Sequence, residues 1–277
     1  MEPEKSTALT AAAYDLAADD FDNAPLSLWS QAGERTVARL GLAPGGRVLD
    51  VCCGTGSTAI PAASAVGRFG TVLGVDLSQG LLEQASAKAA AAGLTNIQFR
   101  CVDITALRFP KVSCDAVICQ FGIFQLPDMV AGTRLLWSLL APGGALAITT
   151  WGPRVHEPVR SAFWAAVRAR RPELDNQHAA TRLVGTPDRL RQLFLDAGTV
   201  APEIESESTI QRLVGADDFW LTLMGSGNRR VIEALGAQAP AVRREVAEFV
   251  AREKVTEVES IVLYALARRP EAPDLTP

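Results

Sequence analysis

The segment VLDVCCGTG, from Val48 to Gly56, constrains the fold of this chain more than any other stretch. Its apolar residues predict a buried strand that carries an acid, Asp50, near its end and then turns through glycines into a helix. A second apolar run, residues 71–75, ends in Asp76, which lies 20 residues after Gly56. A strand, a glycine-rich turn and a second acidic strand end are typical of a βαβ unit that binds a nucleoside.

The position of the first acid favours one class of nucleoside ligand. The pattern Gly54-x-Gly56-x-x-Ala59 also matches a dinucleotide fingerprint, in which Asp76 would bind a ribose hydroxyl. A dinucleotide would place its pyrophosphate over the glycine turn, where the carboxylate of Asp50 would repel it. S-adenosylmethionine has no phosphate and offers a sulfonium and an α-amino cation instead. The charge pattern therefore favours S-adenosylmethionine, and a NAD-dependent oxidoreductase stays open as an alternative.

Five segments, in order across residues 45–152, resemble the motifs of the class I S-adenosylmethionine-dependent methyltransferases. They are Leu49–Gly56, Gly74–Ser78, Cys101–Ile104, Asp115–Cys119 and Leu140–Leu146. The resemblance implies S-adenosylmethionine as cofactor, with Asp76 on both ribose hydroxyls and Asp103 on the adenine amino group. It also implies a Rossmann-like α/β fold with seven strands, of which the last is antiparallel.

In an open α/β sheet, ligands bind beyond the carboxyl ends of the strands. We predict that the cofactor contacts residues at four such ends: Asp50, Cys52, Gly54, Gly56, Asp76, Leu77, Asp103, Ile104, Gln120 and Phe121. Alternative roles remain open for the three acids. Asp76 could cap the helix that follows it, Asp103 could cap a turn, and Asp50 could hold the loop backbone without touching the ligand.

The pairs Tyr14-Asp15 and Phe21-Asp22, followed by Trp29, resemble the N-terminal segment of ubiquinone and menaquinone C-methyltransferases. The resemblance implies that residues 1–44 form a helical lid over the cofactor. The alternative is that the aromatic rings only pack a helix onto the sheet. His156, just past the fifth strand, and Tyr14 are the candidate catalytic bases, although methyl transfer needs a base only where the acceptor proton is not already labile.

The alternation of apolar runs and amphipathic stretches predicts a mostly parallel sheet with helices on both faces. Residues 45–152 are predicted to form the S-adenosylmethionine-binding core. Residues 153–270 are predicted to add the remaining strands and helical insertions that form a substrate cap over the strand ends. Residues 271–277 are predicted to be a disordered tail.

Composition limits the partners and the location of the protein. The net charge of −4 argues against nucleic acid, so Arg229-Arg230 and similar arginine pairs are predicted to be solvated faces. No stretch approaches the roughly 20 apolar residues of a membrane span, and with no signal sequence we expect a cytoplasmic protein. Cys52 and Cys53 would point to opposite faces of a strand, so no metal site is predicted. Three further thiols are predicted to be small core residues: Cys101, Cys114 and Cys119.

The fourth predicted strand ends in Gln120-Phe121-Gly122, where methyltransferases of nucleobase and glutamine amino groups have an Asn-Pro-Pro-Tyr type of motif. The resemblance therefore implies methylation of oxygen or carbon in a small apolar or aromatic molecule, in quinone or secondary-metabolite biosynthesis. A small-molecule N-methyltransferase and a non-catalytic S-adenosylmethionine-binding protein are the alternatives. The oligomeric state is left open.

Overall fold

The centre of the fold is a seven-stranded sheet, seen in a computed structural model that describes residues 3–23, 27–106 and 113–271. The strands are β1 (Arg47–Val51), β2 (Thr71–Asp76), β3 (Ile97–Cys101), β4 (Cys114–Gln120), β5 (Leu140–Trp151), β6 (Glu203–Arg212) and β7 (Glu257–Arg268). Their spatial order is β3-β2-β1-β4-β5-β7-β6. β1 to β5 run parallel, and β7 is antiparallel to both β5 and β6.

Helices cover both faces of this sheet and build a cap above its carboxyl edge. They are α1 (Pro3–Ala17), α2 (Leu28–Leu40), α3 (Ala59–Val66), α4 (Gln79–Ala91), α5 (Met129–Ser138), α6 (Val159–Arg170), α7 (Ala179–Arg182), α8 (Pro187–Asp196), α9 (Ala216–Met224), α10 (Arg229–Leu235) and α11 (Ala239–Arg252). The predicted Rossmann-like α/β architecture is confirmed.

Alternation along the central strands explains why two faces are covered. Val48 of β1 packs in a cluster with α2, α3 and α4, whereas its neighbour Leu49 packs in a cluster with α5 and α8. Successive strand residues point to opposite faces, and both are buried here. Such doubly covered strands are the reason that residues 48–51 and 116–119 are almost continuously apolar.

The cap has a hydrophobic core of its own. Buried residues of α6, α9, α10 and α11 pack together, with Phe163 and Phe219 among the most deeply buried, and only Val258 of β7 joins them from the sheet. The described residues therefore form two sheet-face cores, a separate cap core and a smaller fourth cluster that includes Trp151 and Tyr264.

The structure corrects one prediction about the cysteines. Cys114 and Cys119 are buried as expected, but Cys101 is exposed at the end of the edge strand β3. Within the described ranges, no group of three or more His, Cys, Asp or Glu side chains could hold a metal ion. The search of those ranges also finds no helix with the length and apolarity that crossing a membrane requires. Most of the predicted tail, residues 272–277, lies outside the described residues.

Candidate functional site

A cavity of about 210 Å³ lies at the carboxyl ends of β1, β2, β4 and β5. Its floor is the glycine loop after β1 together with the first residues after β2 and β4. Its other walls come from the N-terminal segment and from the cap helices α6, α7, α9 and α10. Eight of the predicted site residues line it: Tyr14, Cys52, Gly54, Asp76, Leu77, Gln120, Phe121 and His156.

The carboxylate of Asp76 joins two parts of the cavity floor. It accepts the backbone N–H of Gly54 at 2.9 Å with one oxygen and that of Ser78 at 3.0 Å with the other. Burial raises the pKa of Asp76, and these backbone hydrogen bonds oppose the rise. Ser78 itself is the N-cap of α4, since its hydroxyl accepts the N–H of Leu81. Asp76 keeps lone pairs for a ligand hydroxyl, because each carboxylate oxygen can accept two hydrogen bonds.

The glycine loop needs its glycines because its backbone is left-handed. Cys52, Gly54 and Gly56 have φ values of +57°, +53° and +86°. A side chain on Gly54 would also stand 3.7 Å from the ring of Phe21, inside the cavity. Gly56 does not line the cavity and instead faces Ile60 of α3. Its place in the motif reflects the turn, and its predicted contact with the cofactor stays a prediction.

Asp50 lies behind the loop and does not line the cavity. The hydroxyl of Thr58 donates a short hydrogen bond to one carboxylate oxygen, and the other oxygen has no hydrogen-bond partner in the described part of the chain. Burial raises the pKa of Asp50 to about 7. Thr58 does line the cavity, so Asp50 acts on the loop through it. This geometry supports the loop-holding alternative over direct contact with a ligand.

Asp103 and Ile104 also lie away from the cavity wall. The Asp103 carboxylate accepts both the N–H and the hydroxyl of Thr105, at 2.8 and 2.7 Å, and so caps the turn after β3. Ile104 is buried in the cluster of the α5 and α8 face. The predicted role of Asp103 toward adenine stays a prediction, because the turn-cap alternative accounts for its observed contacts.

The aromatic-acid pairs of the N-terminal segment divide into rings that line the cavity and acids that attach the segment. Tyr14, Phe21 and Trp29 all line the cavity, with Phe21 stacked on Trp29 at 5.9 Å between ring centroids. Asp15 accepts the Ser78 hydroxyl at 2.6 Å and the Gly80 N–H at 3.1 Å. These two bonds fasten the segment to the start of α4.

Asp22 makes a second attachment. It accepts the Thr55 hydroxyl of the glycine loop at 2.9 Å and forms an ion pair with Lys88 of α4. A third acid, Asp20, forms an ion pair with Arg229 of the cap at 3.0 Å. The N-terminal segment therefore bridges the floor of the cavity and the cap.

An aromatic cluster forms the middle of the cavity. The ring of Phe121 lies 4.3 Å from that of Trp151 and 4.9 Å from that of Trp29, between centroids. Gln120 holds this arrangement, because its side-chain amide donates to the Trp29 carbonyl at 2.9 Å. Gln120 and Phe121 thus both line the cavity, and Gln120 also positions Trp29. Their predicted contact with the cofactor stays a prediction.

Neither candidate base is strongly basic in its environment. His156 is buried beside Trp151 and Phe219, with ring centroids 5.6 and 6.4 Å away, and burial lowers its pKa to about 3. The Tyr14 hydroxyl accepts the Gln125 side-chain amide at 3.0 Å. Burial, reinforced by Asp76, raises the Tyr14 pKa well above its usual value. At neutral pH the His156 ring is unprotonated but only weakly basic, and the Tyr14 hydroxyl keeps its proton. Their roles as bases therefore stay predictions that the electrostatics do not favour.

Two arginines in the cavity wall were missed. Arg160 of α6 and Arg230 of α10 both line the cavity. This corrects the expectation that Arg229-Arg230 is a solvated face, because the Nε atom of Arg230 is buried. Arg160 follows His156 by one helical turn, which is the only sequence signal that could have placed it at the site.

A family model described as a methyltransferase domain matches residues 48–144. The chain carries a methyltransferase domain. The resemblance to class I S-adenosylmethionine-dependent methyltransferases is thereby confirmed, and the glycine loop and Asp76 both lie inside the matched range.

Two curated relatives of this methyltransferase domain have named substrates. An aklanonic acid methyltransferase of Streptomyces sp. strain C5 is 33% identical over 138 residues, which cover 50% of this chain and 63% of that protein. A demethylmenaquinone methyltransferase of Lactococcus lactis is 36% identical over 110 residues, which cover 40% of this chain and 44% of that protein. The chain thus spans less than two thirds of the length of either relative.

Solved structures agree on the fold. The YcgJ protein of Bacillus subtilis gives a TM-score of 0.57 at 17% identity, and the match covers 87% of this chain and 100% of that protein. The [4+2]-cyclase SpnF gives a TM-score of 0.55 at 21% identity, covering 88% of this chain and 81% of that one. A cyclase on the same fold shows that the architecture alone does not determine the reaction.

Proposed function

We propose that the protein transfers the methyl group of S-adenosylmethionine to an oxygen or carbon atom of a small apolar or aromatic molecule in quinone or secondary-metabolite biosynthesis. The observation that carries the proposal is one cavity with two chemically different ends. Asp76 and the glycine loop lie at the floor, and the Phe121, Trp151 and Trp29 rings lie above them. The names of the two curated relatives support an acceptor of this class.

The residues at the floor fit the cofactor. Asp76 retains acceptor capacity for ribose hydroxyls, and the open backbone at Gly54 permits close approach. Bound S-adenosylmethionine would supply an activated methyl group as a sulfonium. Aromatic faces attract such a cation by roughly 0.5–2 kcal/mol, and Phe21, Trp29 and Phe121 offer them in this cavity.

The protein's own contribution is mainly to hold the reactants together and to exclude water. Positioning alone can lower a barrier by roughly 7–11 kcal/mol. We assign the walls accordingly: residues 1–44 as the helical lid, 45–152 as the cofactor core and 153–270 as the acceptor cap. We assign the neutral His156 and Tyr14 the role of orienting an acceptor by hydrogen bonding, and a labile acceptor proton needs no stronger base.

A transfer assay with methyl-labelled S-adenosylmethionine and fractionated host lysate tests this function. We expect label in the organic extract, and none when Asp76→Ala replaces the wild-type protein. Label in the protein or RNA fraction would exclude a small-molecule acceptor. Tight cofactor binding without transfer to any fraction would support the non-catalytic alternative.

A further inference from the structure

The cavity wall contains three charged side chains among the residues that the structure describes: Asp76, Arg160 and Arg230. The acid lies at the floor, at the end of β2. Both cations lie in the cap, on α6 and α10. The positive charge is therefore confined to the side of the cavity that we assign to the acceptor.

Neither guanidinium forms an ion pair within the described part of the protein, and Glu157 and Asp175 act on Arg160 only at longer range. No ion pair or side-chain hydrogen bond involves Arg160 there, and burial lowers its pKa. The Nε atom of Arg230 is buried without a hydrogen-bond partner. The adjacent Arg229, by contrast, pairs with both Asp20 and Glu233. An arginine lacking a partner in a desolvated wall is costly to the folded protein unless a ligand supplies the anion.

We propose that the acceptor is an acid, with an apolar or aromatic body against the Phe121, Trp151 and Trp29 rings and a carboxylate bound by Arg160 and Arg230. Guanidinium groups match carboxylates in geometry and form charge-assisted hydrogen bonds with them. This inference rests on the proposed function, since it names the acceptor class for that same cavity.

The charge balance of the bound complex favours the acceptor as the source of this carboxylate. S-adenosylmethionine carries a sulfonium together with an α-ammonium and an α-carboxylate whose charges offset each other. It therefore adds one net positive charge to a cavity whose cap already holds two cations, and like charges in a water-poor site repel strongly. An acidic acceptor places a negative charge between them. Asp76 does not do this, because it lies at the floor, where it holds the backbone N–H groups of Gly54 and Ser78, and the two arginines lie in the cap.

The test compares two probes of the same shape, 2-naphthoate and its neutral analogue 2-naphthamide, by calorimetry on protein saturated with S-adenosylhomocysteine. We expect the wild type to bind the carboxylate at least about tenfold more tightly than the amide, as charge-assisted bonds predict. Arg160→Gln and Arg230→Gln should each remove most of this preference and leave amide binding within about twofold. Arg160→Lys and Arg230→Lys should keep part of it. Arg244→Gln, an exposed cap residue outside the cavity wall, is the matched control.

The affinity for S-adenosylhomocysteine, measured on every variant, separates the possible failures. Equal binding of the two probes to the wild type, or binding of neither, contradicts the acidic acceptor. Loss of S-adenosylhomocysteine affinity in the arginine variants, with Arg244→Gln unaffected, would show that the arginines serve the cofactor instead. Failure of the wild type to bind S-adenosylhomocysteine at all would reject the proposed function itself.

Discussion

Asp76 performs two tasks with one carboxylate. It ties the glycine loop to the start of α4 through the N–H groups of Gly54 and Ser78, and it remains part of the cavity wall. The N-cap of α4 is Ser78, so Asp76 holds the residue that caps the helix and does not cap the helix itself. A carboxylate held by backbone N–H groups is fixed in orientation before the ligand arrives, which reduces the entropy lost on binding.

Replacing this carboxylate tests the ribose assignment. We expect Asp76→Ala to weaken S-adenosylmethionine binding at least about tenfold, because both the hydroxyl acceptors and the loop anchor are lost. Calorimetry measures the dissociation constant. Asp188→Ala, an exposed acid at the start of α8, should leave it unchanged. Unaltered binding in the Asp76 variant would rule out its ribose role.

His156 should remain neutral across the physiological range. Its pKa is lowered to about 3 because the ring is buried, and Arg160 adds a smaller effect of the same sign. NMR of the ring protons should show one histidine that does not titrate between roughly pH 5 and 8, a range that contains the ordinary pKa of histidine. His156→Gln assigns that signal by removing it. A His156 resonance with a midpoint near 6.5 would restore it as a candidate base.

The sequence places Asp76 correctly because its neighbours in the chain form the strand end and the turn. The burial of His156 depends on Phe219, which lies 63 residues later in the chain, and no local sequence pattern predicts that contact. The exposure of Arg230 is predicted wrongly for the same reason, because helical spacing alone does not show which face of a cap helix lines a cavity.

At the scale of elements, α2 packs on the glycine loop through Gly33. A Cβ atom at this position would lie 2.0 Å from the carbonyl oxygen of Ser57. We expect Gly33→Ala to destabilise the protein by about 1–3 kcal/mol, because the helix must move away from the loop. The better helix propensity of alanine, about 1 kcal/mol, does not offset that. Urea unfolding measures the change, and Glu34→Ala on the exposed side of α2 should stay within about 0.5 kcal/mol of wild type.

The N-terminal segment should control how long the cofactor stays bound. Asp22→Asn removes the ion pair with Lys88 but keeps an acceptor for the Thr55 hydroxyl. We expect S-adenosylhomocysteine to dissociate about two- to fivefold faster, in line with the modest value of a half-exposed ion pair. Stopped-flow tryptophan fluorescence can follow this, since Trp29 lines the cavity. Arg252→Gln removes a distant surface ion pair with Glu253, and this variant should release S-adenosylhomocysteine at the wild-type rate.

The central strands of the sheet are predictable element by element because they are short apolar runs bounded by turn residues, and β6 is predictable from its alternation. The position of β7 between β5 and β6 is not, since it follows from antiparallel pairing with β6 and with β5, which lies more than a hundred residues earlier in the chain. The cap helices are recognisable as helices from the spacing of their apolar residues. That spacing does not show which helices pack together, so the common core, with its contacts between α6 and α11, could not be predicted.

For the whole molecule, Asp50 makes stability depend on pH. Its pKa is about 7 in the folded protein against 3.8 for an unperturbed aspartate, because it is fully buried. Between these values the folded state binds more protons than the unfolded state, so stability is lost as pH rises through the window. The loss reaches up to about 4 kcal/mol above pH 7.

Asp50→Asn should remove this dependence. Urea unfolding of wild type and variant at pH 5, 6, 7 and 8 gives the difference in unfolding free energy, in which the contributions of other acids such as Asp76 cancel. We expect the unfolding free energy of the variant, relative to that of the wild type, to increase with each upward step in pH. A constant difference from pH 5 to 8 would show that Asp50 titrates at its ordinary pKa in the folded protein.

The separate core of the cap has a consequence for how enzymes of this shape can diverge. Because α6, α9, α10 and α11 are packed among themselves, substitutions on their cavity side leave the interior of the sheet undisturbed. The cavity side of the cap can in this sense change while the cores of the sheet are kept. The family match over residues 48–144, which ends before the cap begins, follows the same line of division.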